Sequence, residues 1–543
     1  MKRIFVVLSL VFALSVQAQD AAPNNWWELD RTDNSFPGVS AAKANSYLQG
    51  KKAQPVVVAV IDSGVDIEHE DLKDAIWTNP GEIPDNGIDD DNNGYVDDVH
   101  GWNFIGGADG RNVNYENLEV VRIYNRLKAK YNNRNRDGLS RKEKEEYDRY
   151  IEYKDRIEAK QAELGPTATQ YTMIKAAVDN MLSEMDKSAD EVSADDVANF
   201  KSDDQAVQMV KNVVLNATAD GTTFAELYDQ LEGALDYFDG QLKYNYNPDF
   251  DAREIVGDDP SNLSDRYYGN NDVEGPDAAH GTHVAGIIAG VRDNDLGVNG
   301  VGGPNVKIMS VRAVPNGDER DKDVANAIRY AVDNGAKVIN MSFGKGQSPY
   351  KKEVDRAMKY AQKNDVLLVH AAGNDGKLLT LKNNFPNDTY QGKRRTGKTW
   401  IEVGAASSSY DEGLAASFSN YNKKYVDVFA PGAQIYSTIP DDEYATFDGT
   451  SMAAPMVAGI AALVRSYFPD LKAKQVKEVI EESALPVNLE VNRPGGENEM
   501  VSFSELSATG GLANAYTAAK LAEQTKGKNR RERKNRDESL RQY

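Results

Sequence analysis

Residues 56–66 read VVVAVIDSGVD. The first six are apolar, five of them β-branched, and they do not alternate with polar residues. Such a run reads as a strand buried on both faces, as in a parallel sheet covered by helices. Asp62 then places a carboxylate at the carboxyl end of that strand, followed by Ser63-Gly64. An acid buried there is costly unless it accepts hydrogen bonds, and a histidine imidazole would supply one. Similar short runs recur at Val306–Val311, Val338–Met341, Val366–Val369 and Val426–Phe429, with helical patterns between them at Lys322–Asn334 and Lys351–Asn364. Strand and helix in alternation predict an open α/β domain, whose functional residues collect at the carboxyl ends of the strands.

Five histidines and no cysteine are present. A cysteine nucleophile, a zinc-thiolate site and a disulfide scaffold are therefore excluded, and a hydrolase running on serine needs one of the histidines as its base. His280 opens HGTHVAG, where small residues crowd a helix start and allow close approach of other groups. His69, His100 and His370 read as satisfied structural histidines. Ser451 lies in DGTSMAAPMVAG, with Pro455 taken to fall in the first turn of a helix. Two readings compete for it: an N-cap serine, or a nucleophile placed where backbone N–H groups and the helix dipole stabilise an oxyanion. Asn374, in VHAAGND, follows another buried strand and offers an amide donor to the same crevice.

Together these segments, VIDSGVD, HGTHVAG, AAGND and GTSMAAPMVAG in that order, resemble the subtilase family over roughly residues 50–105 and 250–520. The resemblance implies a subtilisin-like three-layer αβα domain with a mainly parallel sheet. It implies serine endopeptidase activity on protein or peptide substrates, with Ser451 as nucleophile, His280 as base and Asp62 as its orienting acid. Asn374 with the Ser451 N–H would form the oxyanion hole, and Ser342-Phe343-Gly344 would pair with the peptide as an added strand. A metallohydrolase built on His280 and His283 is the rival chemistry, but no HExxH glutamate accompanies them. A catalytically weak binding protein on the same scaffold is the other rival. Against it, both oxyanion and triad residues are all present.

The stretch DNGIDDDNNGYVDD spaces Asp89, Asp91, Asn93, Tyr95 and Asp97 like the oxygen ligands of a calcium loop, with Gly94 for the turn. His100 stands where the bidentate glutamate of the helix-loop-helix version would be. Structural calcium, and no catalytic metal, is expected from this loop. A weaker calcium candidate, by resemblance, joins Asp71 to the loop 293–299.

The chain begins MKRIFVVLSLVFALSVQA, a basic start and a short apolar run ending in small residues, which reads as a cleavable export signal over 1–18. That run is too short for a spanning helix, so a periplasmic or extracellular protein without stable membrane insertion is expected. The formal charge of −22 becomes −24 once Lys2 and Arg3 are removed, which argues against nucleic acid as a partner. The oligomeric state is not legible. The peptidase domain is expected over 19–109 and 247–522, interrupted at 110–246 by a stretch poor in Val, Ile and Gly. Val120, Tyr124, Leu127 and Tyr131, and later Phe224, Tyr228, Leu231 and Leu235, recur at helical spacing there. Ser140 and Glu143 form a capping-box pattern opening a helix that Gly165-Pro166 is expected to close. An all-helical insertion follows, lying between Asp62 and His280. Residues 523–543 read as a charged tail without an apolar stripe. Too few residues separate the signal from the first strand for a conventional prodomain.

Overall fold

The computed structural model describes residues 22–217, 221–390, 397–496 and 499–525. The expected export signal and nearly all of the expected basic tail lie outside them. The apolar run at 56–62 is strand β1 (Val56–Asp62). It is followed along the chain by β2 (Gly101–Asn103), β3 (Val306–Arg312), β4 (Val338–Met341), β5 (Leu367–Ala371), β6 (Trp400–Ala406), β7 (Val428–Pro431), β8 (Ile435–Ile439), β9 (Glu443–Phe447), β10 (Leu485–Pro486), β11 (Glu490–Asn492), β12 (Met500–Ser502) and β13 (Gly511–Leu512). Nine of these form one sheet in the order β10-β13-β7-β6-β5-β4-β1-β3-β2, parallel throughout except for the β10–β13 pair. The hairpins β8–β9 and β11–β12 stand apart.

Both faces of the sheet are covered, giving three layers. Val56, Val58 and Val60 face a core shared with the helices Ala279–Ala289 and Thr450–Tyr467. Ala59 and Ile61 face the opposite core, shared with the helices Asp321–Asp333 and Lys351–Lys363. This two-sided burial is why the strands read as unbroken apolar runs. Strand β6 escaped the sequence reading because Glu402 and Gly404 interrupt it. Glu402 is nevertheless buried: its carboxylate accepts from Trp400 Nε1 (2.8 Å), and its backbone N–H donates to Asp427 Oδ2 (2.8 Å).

The sheet changes direction at β1. From there the chain visits β2 and β3 on one side and β4 to β7 on the other, so a crevice opens above the carboxyl end of β1, where ligands of such sheets bind.

Between Glu119 and Asn245 the described residues are helices and their connections. The helix Glu119–Tyr131 packs on the first half of a 45-residue helix, Arg141–Met185, through Val120, Tyr124, Tyr150 and Ile157. The far half of the long helix joins a separate core with the helices Gln205–Ala217 and Phe224–Asp239. The capping box at Ser140 and Glu143 is present. The expected stop at Gly165-Pro166 is not, since the helix continues for about 30 Å beyond it at 1.5 Å per residue. Proline removes one backbone hydrogen bond, but Leu164 before it and Val178 and Met181 after it are each anchored in one of the two cores. That burial on both sides outweighs the roughly 3 kcal/mol that a proline costs inside a helix.

Candidate active site

Asp62 ends β1 with a side chain 2 % exposed. Its Oδ1 accepts from the Ser63 N–H (2.8 Å) and lies 2.7 Å from His280 Nδ1. His280 is the second residue of the helix Ala279–Ala289. That helix can come so near because Gly281 faces Gly64 backbone to backbone: a Cβ on Gly281 would stand 1.9 Å from the Gly64 carbonyl oxygen. Burial by itself pulls the His280 pKa down, but the Asp62 carboxylate and its hydrogen bond, with Asp277 beyond, more than compensate and hold it above the ordinary imidazole value.

Ser451 is the second residue of the helix Thr450–Tyr467, at the positive end of its dipole. Pro455 lies in the second turn, past the first turn where the sequence reading put it, and this has a consequence for the site. It has no N–H to donate to the carbonyl four residues back, which belongs to Ser451. The Ser342 hydroxyl takes that place, donating to Ser451 O at 2.7 Å while itself accepting from Asn340 Nδ2 (2.9 Å). In return the Ser451 hydroxyl donates to Ser342 O at 3.0 Å. The first residue after β4 and the start of the helix are thus joined by two hydrogen bonds.

Asn374 follows β5 and is exposed. Its Oδ1 accepts from both Thr450 N (2.9 Å) and Thr450 Oγ1 (2.8 Å). An oxygen alone can accept from a backbone N–H, so this pair decides which way the amide points and leaves Nδ2 free to donate. A Cβ added to Gly449 would meet Asn374 Nδ2 at 3.3 Å and Ser451 N at 3.5 Å, so both donors border one small space. Thr450 was missed by the sequence reading, although it stands in the GTS triplet.

With these contacts in hand, the comparison with known proteins is decisive. The subtilase family pattern matches residues 53–517. The chain belongs to the subtilase family. This subtilase is 40% identical over 239 residues to the thermophilic serine proteinase of Bacillus sp. (strain AK1), covering 44% of this chain and 53% of that protein. It is 38% identical over 208 residues to subtilisin DY of Bacillus licheniformis, covering 38% of this chain and 70% of the relative. A solved structure, that of the prenylagaramide maturation protease PagA, aligns at TM-score 0.36 and 29% identity over 45% of this chain and 81% of that one. The matched part of the subtilase thus spans about half the length of the thermophilic serine proteinase.

The other histidines of the subtilase are spoken for. His283 is buried, donates from Nε2 toward Ile435 O (3.0 Å) and Ala445 O (3.1 Å), and stacks on Phe447 at 4.4 Å. Burial lowers its pKa to about 3, so it stays neutral and fixed, away from any shared ligand with His280. His69 accepts from Asp71 N and contacts Glu443 O, His100 contacts Trp77 O, and His370 contacts Glu402.

In the acidic loop the structure gathers a different set from the expected one. Glu82, Asp91 and Asp98 bring carboxylate oxygens within 4.8 Å of one another. Asp91 alone among them was expected. Asp89 accepts from Asn93 N and Gly94 N, and Asp97 from Asn86 N and Gly87 N, so both carboxylates bind the loop's own backbone. Asn93 turns its Nδ2 to Asp91 and Asp98, while Tyr95 is buried against Trp102 and Tyr330. Glu82 is 8 % exposed, and its Oε2 is buried without a hydrogen-bond partner. Burial pushes Asp98 up to about 6 despite hydrogen bonds from Tyr330, Asn93 and Asn79. An all-oxygen set with an unpartnered buried oxygen fits a hard divalent cation such as calcium. Glu82 lies outside the spacing pattern of a calcium loop, and Asp98 has the wrong parity for it. At the weaker candidate, Asp71 does reach the loop 293–299, accepting from Asn294 Nδ2 (2.8 Å) and Val298 N (2.9 Å).

Proposed function

We propose that this subtilase is an exported serine endopeptidase that hydrolyses peptide bonds of protein and peptide substrates through an acyl-enzyme. The observation that carries the reading is the 2.7 Å contact between buried Asp62 and His280 Nδ1, above the strand where the sheet reverses. His280 Nδ1 donates to Asp62, which leaves Nε2 as the base. On substrate binding the Ser451 hydroxyl turns from Ser342 O to His280, a tightening expected of catalytic hydrogen bonds that are loose in the free enzyme. Ser451 Oγ then attacks the carbonyl carbon as its proton passes to Nε2, and the oxyanion accepts from Ser451 N and Asn374 Nδ2. Collapse breaks the C–N bond, and Nε2 returns the proton to the leaving amine. Water repeats the sequence on the ester and frees Ser451.

The acyl side of the peptide pairs along Ser342-Phe343-Gly344. Calcium bound by Glu82, Asp91 and Asp98 would brace the loop after β1 and take no part in the chemistry. The apolar start of the chain supports export to the periplasm or beyond, and among the described residues no helix is long and apolar enough to cross a membrane. The helices between Glu119 and Asn245 form a module that limits access to the crevice or recruits a partner.

A fluorophosphonate probe should label Ser451 in the purified protein, and Ser451→Ala should abolish labelling and nearly all peptide hydrolysis. The residual rate would be about 10³ to 10⁴ above water, below most assays. Hydrolysis near the wild-type level by this variant would remove Ser451 from the mechanism and leave a binding protein on a subtilase scaffold as the better reading.

A further inference from the structure

The segment that follows β4 runs from Ser451 into a buried junction. In an extended segment, successive residues turn their N–H and C=O groups to opposite edges. Lys345 gives both to Phe385 (each 3.0 Å), so Ser342 and Gly344 present theirs to the other edge, where Ser342 O already meets Ser451 Oγ. The next residue able to face that edge is Gly346. Before it is reached, the Lys345 side chain, 1 % exposed, crosses to the segment that follows β3. Its Nζ lies 2.5 Å from Glu319 O and 3.0 Å from Asp321 Oδ1. The segment after β4 and the segment after β3 therefore meet at Lys345.

The helix Glu119–Tyr131, the first of the long helical stretch, seals that junction. Arg122 donates to Asp318 O (2.8 Å) and Glu319 O (3.1 Å), and Glu119 ties it to Lys345 at 3.3 Å. Glu319 O accepts from both Lys345 Nζ and Arg122, so neither of its lone pairs is left for an incoming strand, and Asp318 O already accepts from Arg122. Burial alone would raise the Glu119 pKa, but Arg122 and Lys345 hold it down at about 2, so Glu119 is ionised at neutral pH beside the two cations.

We propose that this junction is a specificity-determining wall: the groove takes three residues on the acyl side of the scissile bond, opposite Ser342, Phe343 and Gly344, and any further residues leave it for solvent. The proposal rests on the peptidase reading and on the peptide lying along Ser342–Gly344. It also gives the helical stretch a definite task, since its first helix supplies Glu119 and Arg122.

The test is a series of acetylated peptide p-nitroanilides with one to five residues of acyl chain. For the wild-type protein kcat/KM should climb steeply to the third residue and change by less than about twofold at the fourth and fifth. A tenfold or larger gain at the fourth residue would overturn the wall. The same peptides, as amides, titrated calorimetrically into Ser451→Ala read groove length without turnover. A Kd that stops improving at three residues supports the wall even if no substrate is hydrolysed, in which case the peptidase reading alone has failed. A Kd still improving tenfold at the fourth residue refutes the wall. The paired variant Lys345→Met with Glu119→Gln removes one charge of each sign. If it folds, the plateau should move beyond three residues, and an unmoved plateau would deny the network its role. If it does not fold, the two length series decide the matter by themselves.

Discussion

Gly281→Ala is the most exposed test of how this site is assembled. The new Cβ would lie 1.9 Å from the Gly64 carbonyl oxygen and 3.2 Å from Asp62 Cβ, where a contact under 3.0 Å cannot persist. The obstacle is backbone on a buried strand end, so the helix Ala279–Ala289 must retreat by about 1.1 Å. His280 is the adjacent residue and moves with it, while Asp62, held in the sheet, does not. A 2.7 Å hydrogen bond lengthened by that amount is no longer one. A misplacement of about 1 Å costs on the order of 10²-fold, so kcat/KM should fall by at least that factor, about 2.7 kcal/mol. The matched control is Gly233→Ala, exposed within the helix Phe224–Asp239, where an added Cβ meets nothing within 4 Å. There the change should stabilise by about 0.5 to 1 kcal/mol and leave kcat/KM alone. Steady-state hydrolysis of a short peptide anilide and thermal melting read both variants. A Gly281→Ala protein with kcat/KM within threefold of wild type and an unchanged Tm would refute the claim that the helix approaches β1 through that glycine.

The base must be neutral to accept the serine proton, and Asp62 raises the His280 pKa, so the acidic limb of the kcat/KM profile should lie above the ordinary imidazole value near 6.5. Asp62→Asn should move that limb to lower pH and reduce kcat by about 10⁴-fold, as loss of the tautomer-holding acid does in serine peptidases, and an unmoved limb would mean that another group titrates. For the acidic loop, calcium at a hundredfold excess over its Kd should stabilise the wild-type protein by about 2.7 kcal/mol. Chelation should lower Tm, Glu82→Gln should remove most of the response, and Asp89→Asn should keep it. A Glu82→Gln protein that still responds fully to calcium would return the site to the residues read from spacing.

Much of this was legible in the chain. The unbroken apolar runs announced strands buried on both faces, because a strand covered on two sides has no polar face to show. Asp62, His280, Asn374 and Ser451 stood out because each lies among small residues at the end of a strand or start of a helix, where only small residues permit close packing. The capping box at Ser140 was readable because its partners are three residues apart. What tertiary structure alone decided depends on partners distant in the chain. Pro166 does not end its helix, since Leu164 and Met181 are buried in two cores that no local rule contains. Glu82 joins Asp91 and Asp98 through folding of the loop, while Asp89 and Asp97, better placed by spacing, are consumed by nearby N–H groups. Strand β6 was hidden by Glu402, which is tolerable inside the sheet only because Trp400 and His370 satisfy it. Nothing in the sequence around Lys345 marks it as buried. Its burial against Glu119, the Glu319 carbonyl and Asp321 follows from residues 226, 26 and 24 positions away in the chain, and contacts at such separations leave no periodicity to read.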